Sequence, residues 1–357
     1  MNLHLNNDAF EELVELTANY FGYAKSHIEK DYWVSKILKE LTLSKFSENI
    51  YFKGGTSLSK CYGLINRFSE DLDLFIFSGN RSSSKQSEKT LNRNISHFII
   101  ENNKDIYMEV LSKTGGDFRK LVFSYDTHYE SSGLKENLEV EIKCCTLEDK
   151  TMMYYPSQKR EIKPVIAEYL KASNNYDLIV RFDMEEFIVQ TIDPKRTLCD
   201  KIARLTRLSY DDDYQILIAK HIRDIYDIYC LLNIPDYMNF IQTEDFIEAM
   251  NQVVIEDGLY RNSQSHKSIS KARVFAETEY TLKLPEIIRS YNNELKQLIF
   301  EENNLPTLDK IIMTFSLLKN PLSKFDENIL NLPSVELSEI ENVVNESFDF
   351  DDFIGKI

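Results

Sequence analysis

Two carboxylates one residue apart, preceded by a double-glycine turn, are the residues of this chain whose types and spacing point to chemistry. Asp71 and Asp73 lie in Arg67-Phe68-Ser69-Glu70-Asp71-Leu72-Asp73-Leu74-Phe75-Ile76. In a strand successive side chains alternate faces, so both carboxylates share one face while Leu72, Leu74 and Ile76 point the other way. Upstream stands Tyr51-Phe52-Lys53-Gly54-Gly55-Thr56-Ser57-Leu58-Ser59. Ile50, Tyr51 and Phe52 suit a buried strand, Gly54 and Gly55 permit a sharp turn, and Leu58, Cys61, Tyr62 and Ile65 recur at helical spacing. Backbone amides at such a helix start favour phosphate, and carboxylates are the hard oxygen ligands a divalent cation requires. Lys53, Gly54, Gly55, Thr56 and Ser57 would thus cradle a triphosphate beside a metal held by Asp71 and Asp73. An isolated Asp-x-Asp would say little, because exposed strand faces often carry alternating acids; the preceding turn makes it specific.

Positioning these groups requires a sheet. Tyr107–Leu111, Lys120–Tyr125 and Leu138–Cys145 read as strands, the last with clean alternation: Leu138, Val140, Ile142 and Cys144 on one side, Glu139, Glu141 and Lys143 on the other. A third metal-binding carboxylate is expected from such a neighbouring strand, and both Glu139 and Glu141 face the right way. Residues 8–46 have helical periodicity, with Tyr32, Trp33, Ile37 and Leu41 as core, and residues 79–90 read as a polar loop leading to a helix at 91–102. From Pro194 onward the period is helical. Leu198, Ile202, Leu205 and Leu208 form one stripe, leaving Lys201 and Arg204 on an accessible flank; Ile222, Tyr226, Tyr229 and Leu232 form another. Arg223, Asp224 and Asp227 crowd one side of that second helix, as an ion-pair network or as groups near substrate. His221 beside them reads as incidental. The simplest architecture is α+β: residues 1–190 a mixed sheet with flanking helices, residues 191–357 mainly helical and completing the nucleotide site.

The wording Lys-Gly-Gly-Thr-x-Leu followed by Arg-Phe-Ser-Glu-Asp-Leu-Asp-Leu resembles the AbiEii/AbiGii toxin family within the DNA polymerase β-like nucleotidyltransferase superfamily. The stretch between turn and carboxylates, longer than in the generic superfamily signature, fits that subfamily. Lys30-Asp31-Tyr32 resembles the element that precedes the family's turn, Thr197-Leu198-Cys199-Asp200-Lys201 its Thr-x-x-(Asp/Glu)-Lys segment, and Arg223-Asp224-Ile225-Tyr226-Asp227 its Arg-Asp-x-x-Asp motif. The resemblance implies a polymerase β-like core and transfer of a nucleoside monophosphate from an NTP, with GTP favoured, to an acceptor such as a tRNA 3′ end. It also implies two Mg2+ ions, held by Asp71, Asp73 and, on the family's strand pattern, Glu141. Lys201 is implied to be catalytic and to meet the nucleotide phosphates, with Arg204, Arg223, Asp224 and Asp227 nearby. A cognate antitoxin is the implied partner and phage defence the implied setting.

Composition sets outer limits. The chain has 357 residues, 43% hydrophobic and 12% aromatic, enough for an ordinary core divided between two domains. No apolar run is long enough to span a bilayer, and the amino terminus lacks the basic-then-apolar order of a secretory signal, so a cytoplasmic location is expected. A formal net charge of −16 opposes diffuse adhesion to nucleic acid and would suit a cationic small molecule, the acceptor of antibiotic-modifying relatives in the superfamily. Any RNA contact must be local; basic residues concentrate between Lys195 and Arg223, acidic ones around Asp349, Asp351 and Asp352. A nucleotide-binding module without turnover is the further alternative, opposed by the retained Asp71 and Asp73. Five cysteines without Cys-x-x-Cys spacing exclude a zinc or disulfide framework, and most read as small core residues.

Overall fold

The computed structural model describes residues 1–69, 71–77, 85–114, 118–125, 127, 129, 135–144, 158–257 and 267–330. Among them six strands form one mixed sheet: β1 (Ile50–Lys53), β2 (Leu72–Ile76), β3 (Phe118–Phe123), β4 (Leu138–Cys144), β5 (Gln158–Ile162) and β6 (Phe187–Thr191). Their order across the sheet is β3-β4-β2-β1-β6-β5. The two expected central strands therefore lie side by side, β2 parallel to β4 and antiparallel to β1. Period-two alternation is complete in β4, where Leu138, Val140 and Ile142 are fully buried and Glu139, Glu141 and Lys143 lie at the partly open face. Leu72, Leu74 and Ile76 are buried beside them, so one core face fixes the register of both strands.

Helices α1 (Asn7–Phe21), α2 (Lys25–Thr42) and α4 (Lys85–Asn102) cover that core, while α3 (Gly54–Lys60) follows the glycine turn. Tyr32, Trp33, Ile37 and Leu41 are buried as expected. Three lysines of α2 are buried as well, and each ammonium has acceptors: Lys30 in the carbonyls of Lys135 and Asn137, Lys36 in Glu40 and Asn103, Lys39 in Asp183 and Glu185. Buried charge is tolerated only on that condition.

Several expected elements differ. Residues 107–111 are not a strand: Tyr107 bridges Phe123 and Lys113 bridges Lys120, but Glu109–Leu111 between them is a 3₁₀ turn with Val110 in solvent. Met108 N donates to the Val122 carbonyl and Val122 N to Ser112 Oγ, so the turn takes the ladder's place along the β3 edge. Helix α3 stops at Lys60 and does not carry Cys61, Tyr62 and Ile65; Gly63 at φ +61° and the Leu64 N–H donating to the Leu58 carbonyl close it. Part of the polar loop expected at 79–90 is helical, since α4 begins at Lys85; residues 78–84 lie outside the described set.

Two compact units divide the chain, Met1–Pro194 with Glu294–Leu305, and Lys195–Asn293 with Pro306–Ile357. In the first, Phe68 N donates to the Leu298 carbonyl and Arg67 bridges Ile299, so the segment before β2 is held by residues from far along the chain. Phe68 stacks on His27 and meets Tyr23 and Phe300 edge-on. The described part of the second unit is helical, with Ile202, Leu205, Ile225, Phe246, Phe315 and Phe325 fully buried. None of the four described cysteines forms a disulfide; Cys144 and Cys199 are buried, Cys61 and Cys230 partly so. No helix among the described residues is long and apolar enough to cross a membrane. Cys145 and the acidic tail around Asp349, Asp351 and Asp352 lie outside the described residues.

Candidate active site

The turn and the carboxylates come together at the carboxyl end of β1. Lys53 pairs with Asp73 across β1 and β2, and the next residue, Gly54, has φ +76°, a conformation glycine adopts at no steric cost. A Cβ built on Gly54 would stand 2.0 Å from Asp73 Oδ2, so the missing side chain is the space the carboxylate occupies. Thr56 Oγ1 donates to the Asp71 carbonyl at 2.5 Å and lies 2.8 Å from Ser69 Oγ, tying α3 to the residues before β2. The Lys53 ammonium stands 4.0 Å from the centre of the Phe75 ring. Gly55, Thr56 and Ser57 are buried, and Ser57 Oγ has no hydrogen-bond partner among the described residues. A cleft of about 490 Å³ lies at the far end of α3, lined in part by Lys30, Asp31, Ser59, Lys60, Phe68 and Ser69 and by no residue of the turn itself.

Asp73 and Glu141 are direct neighbours in the parallel β2–β4 ladder. Glu139, two residues before Glu141, has two cations against it: Lys120 Nζ lies 2.7 Å from its Oε1 and Lys135 Nζ 2.8 Å from its Oε2. Burial works to raise the Glu139 pKa, but hydrogen bonds from the two ammonium groups outweigh it and hold the carboxyl below its usual value. Lys135 also meets Asp71 Oδ2 at 2.8 Å, whereas the buried Asp71 Oδ1 has no partner among the described residues. Lys135 is absent from any motif; only its place four residues before Glu139 hinted at it. Lys30 and Asp31 gain roles from the fold. Lys30 donates to the carbonyls of Lys135 and Asn137, at 2.8 and 3.0 Å, and Asp31 pairs with Lys60 and accepts from Val165 N.

Whether these groups suit a divalent cation can be judged from the donors. Among the described residues no three His, Cys, Asp or Glu side chains already converge as a ligand set. The donors nevertheless fit magnesium: all are carboxylate oxygens, one of them is buried without a partner, and Asp73 fills the gap that Gly54 leaves open.

In the second unit Lys201 is not on an accessible flank. Its ammonium is buried between Asp224 Oδ1, at 2.5 Å, and Asp227 Oδ2, at 2.8 Å; Arg204, partly exposed, adds a contact to Asp224 Oδ2 at 3.2 Å. The helical stripe of Leu198, Ile202 and Leu205 left Lys201 outside it, but the neighbouring helix Ile222–Leu232 covers that side with its two aspartates. Asp224 and Asp227 are thus in an ion-pair network, but the cations shown in it are Lys201 and Arg204 of the neighbouring helix, where the sequence pattern had grouped the two aspartates with Arg223. Arg223 lies on the same helix, partly exposed, and His221 Nδ1 stands 2.9 Å from the Leu217 carbonyl in a local contact. Arg196, fully buried and paired with Asp200 at 2.9 Å, anchors the start of the Lys201 helix.

The model of one protein family, described as nucleotidyl transferase AbiEii toxin, type IV toxin–antitoxin system, matches residues 36–314. Among solved structures, the nucleotidyltransferase toxin MenT4 of Mycobacterium tuberculosis H37Rv is similar at 14% identity and a TM-score of 0.45, over 94% of this chain and 99% of that one. No curated protein sequence matches.

Proposed function

The chain belongs to the AbiEii family of nucleotidyltransferase toxins, and from that premise we propose that it transfers a nucleoside monophosphate from an NTP, with GTP favoured, to the 3′ end of an RNA such as tRNA. Type IV toxin–antitoxin membership implies a cognate antitoxin. The observation that carries the reading is the juxtaposition of Asp71, Asp73 and Glu141 with the Gly54 turn. In the reaction an acceptor hydroxyl attacks the α-phosphorus, the bond to the bridging oxygen of pyrophosphate breaks, and the hydroxyl proton leaves with solvent. Asp71, Asp73 and Glu141 would hold two magnesium ions, whose chemistry is to lower the pKa of the attacking hydroxyl and to neutralise the pyrophosphate. The backbone around Gly54, Gly55 and Thr56 offers amides to the phosphates, and Lys53 and Ser57 stand on either side of that turn. For Lys201 to meet a phosphate its ammonium would have to loosen from Asp224 or Asp227.

Incubation of the purified protein with each labelled NTP and either total RNA or a panel of cationic aminoglycosides tests the reading. Label in RNA 3′ ends supports it. Label only in the small molecules, which the net charge of −16 would suit, replaces the acceptor class; label in neither removes the proposal.

The strand register sets a sharper expectation. Glu141→Gln should lower turnover by about a hundredfold or more, whereas Glu139→Gln should cost less than about tenfold, or roughly 1.4 kcal/mol of barrier. Glu139 already spends both oxygens on Lys120 and Lys135, while Glu141 stands next to Asp73. Steady-state kinetics that reversed this order would shift the third ligand to Glu139.

A further inference from the structure

A lysine stands where two carboxylates of the site face each other. Lys135 Nζ is 2.8 Å from Asp71 Oδ2 and 2.8 Å from Glu139 Oε2. Its backbone is held in place, because the buried ammonium of Lys30 donates to the carbonyls of Lys135 and of Asn137. Its side chain is 42% exposed, so on leaving Asp71 the ammonium can turn toward water without moving β4. Asp71 keeps one oxygen, Oδ1, buried and without a partner among the described residues, so the lysine satisfies half of a carboxylate whose other half is aimed elsewhere.

We propose that Lys135 is an internal counter-ion of the metal site, neutralising Asp71 until a divalent cation arrives and then giving it up, so that its charge sets the cation concentration at which the enzyme loads. The inference rests on the reading of Asp71 and Asp73 as metal ligands. An ammonium and a divalent ion compete for the same carboxylate oxygens, and the ion wins through its double charge and closer approach. A lysine side chain is an ammonium throughout the neutral range, so the charge needs no special environment. Lys120 serves as the internal comparison, since its contact is with Glu139 Oε1. Lys30 then has a positioning role, fixing the backbone from which Lys135 reaches.

Mn2+ binding to the full chain without nucleotide, followed by electron paramagnetic resonance or calorimetry, tests this without any turnover. Lys135→Met should tighten Mn2+ by about tenfold, equivalent to about 1.4 kcal/mol, with Lys135→Gln as a second neutral variant that keeps a hydrogen-bond donor. Lys135→Arg and Lys120→Met should each stay within about threefold of the parent protein, or roughly 0.7 kcal/mol. Asp73→Asn identifies the site, because it should remove most of the binding. If Asp73→Asn weakens Mn2+ while neither neutral Lys135 variant tightens it, the counter-ion role is wrong and the metal site stands. Tightening by Lys135→Arg or Lys120→Met to the same extent would also overturn it, as would binding indifferent to Asp73, which removes the metal reading too.

Discussion

Gly54→Ala is expected to abolish transfer as completely as Asp73→Ala, by roughly three orders of magnitude or about 4 kcal/mol of barrier. Two costs fall on one methyl group. The first is the backbone at φ +76°, where an L side chain is strained by about 1–2 kcal/mol. The second is the contact: the new Cβ would stand 2.0 Å from Asp73 Oδ2 and 2.8 Å from its Cγ, too near for either atom to remain. Asp73 must rotate away, and with it the carboxylate that pairs in register with Glu141. Gly63 separates these effects. It has φ +61° but nothing within 4 Å of its would-be Cβ, so Gly63→Ala carries the backbone strain alone. Thermal melting should show the backbone loss in both alanine variants and a larger one at Gly54, while turnover should collapse only at Gly54. A Gly54→Ala enzyme within tenfold of the parent would mean that Asp73 does its work from another rotamer, and the proposed ligand set would have to be redrawn.

Features governed by local periodicity were legible in the residues, and features governed by distant partners were not. The alternation of Leu138, Val140 and Ile142 placed Glu139 and Glu141 on the face of Asp73 because a buried sheet face permits no other register. That same alternation could not separate the two glutamates. The fold adds the register, with Glu141 opposite Asp73, and two lysines on Glu139, one on β3 and one just before β4, neither of which the strand pattern reports. Strands β5 and β6 escaped notice for a similar reason. β5 reads Gln-Lys-Arg-Glu-Ile at the sheet edge with only Ile162 buried, and in β6 Ile188 is 61% exposed, so neither repeats polar and apolar residues in a way that marks a strand. In the Gly-Gly-Thr-Ser turn the residue types themselves demanded the geometry: positive φ at Gly54, then a helix start.

Lys201 gives the last expectation, and here a polar residue outside a helical stripe proved to be interior. The stripe logic assumes that a side not covered by its own apolar residues faces water, which fails when a second helix supplies carboxylates. Lys201→Met should destabilise the protein by about 3–5 kcal/mol, because it leaves Asp224 and Asp227 buried without the cation between them. Burial works to raise the Asp224 pKa, but Lys201 and Arg204 outweigh it and hold it below the ordinary carboxylate value. A depressed folded-state pKa stabilises above the unfolded value, about 3.9 for aspartate, and that stabilisation is lost as pH falls through the folded value. In Lys201→Met the larger of the two cation effects on Asp224 is gone and Arg204 is left to oppose burial, so the stability that Lys201 supplies above the unfolded value is missing from the variant. The gap between parent and variant in denaturant unfolding should therefore be widest near neutrality and narrow toward pH 4. Lys201→Met together with Asp224→Asn should recover part of the loss, since one of the two buried carboxylates that faced the lysine is then neutral. A Lys201→Met protein as stable as the parent at pH 7, with lowered nucleotide affinity, would show instead that the ammonium belongs to the phosphates and that its contact with the two aspartates is dispensable.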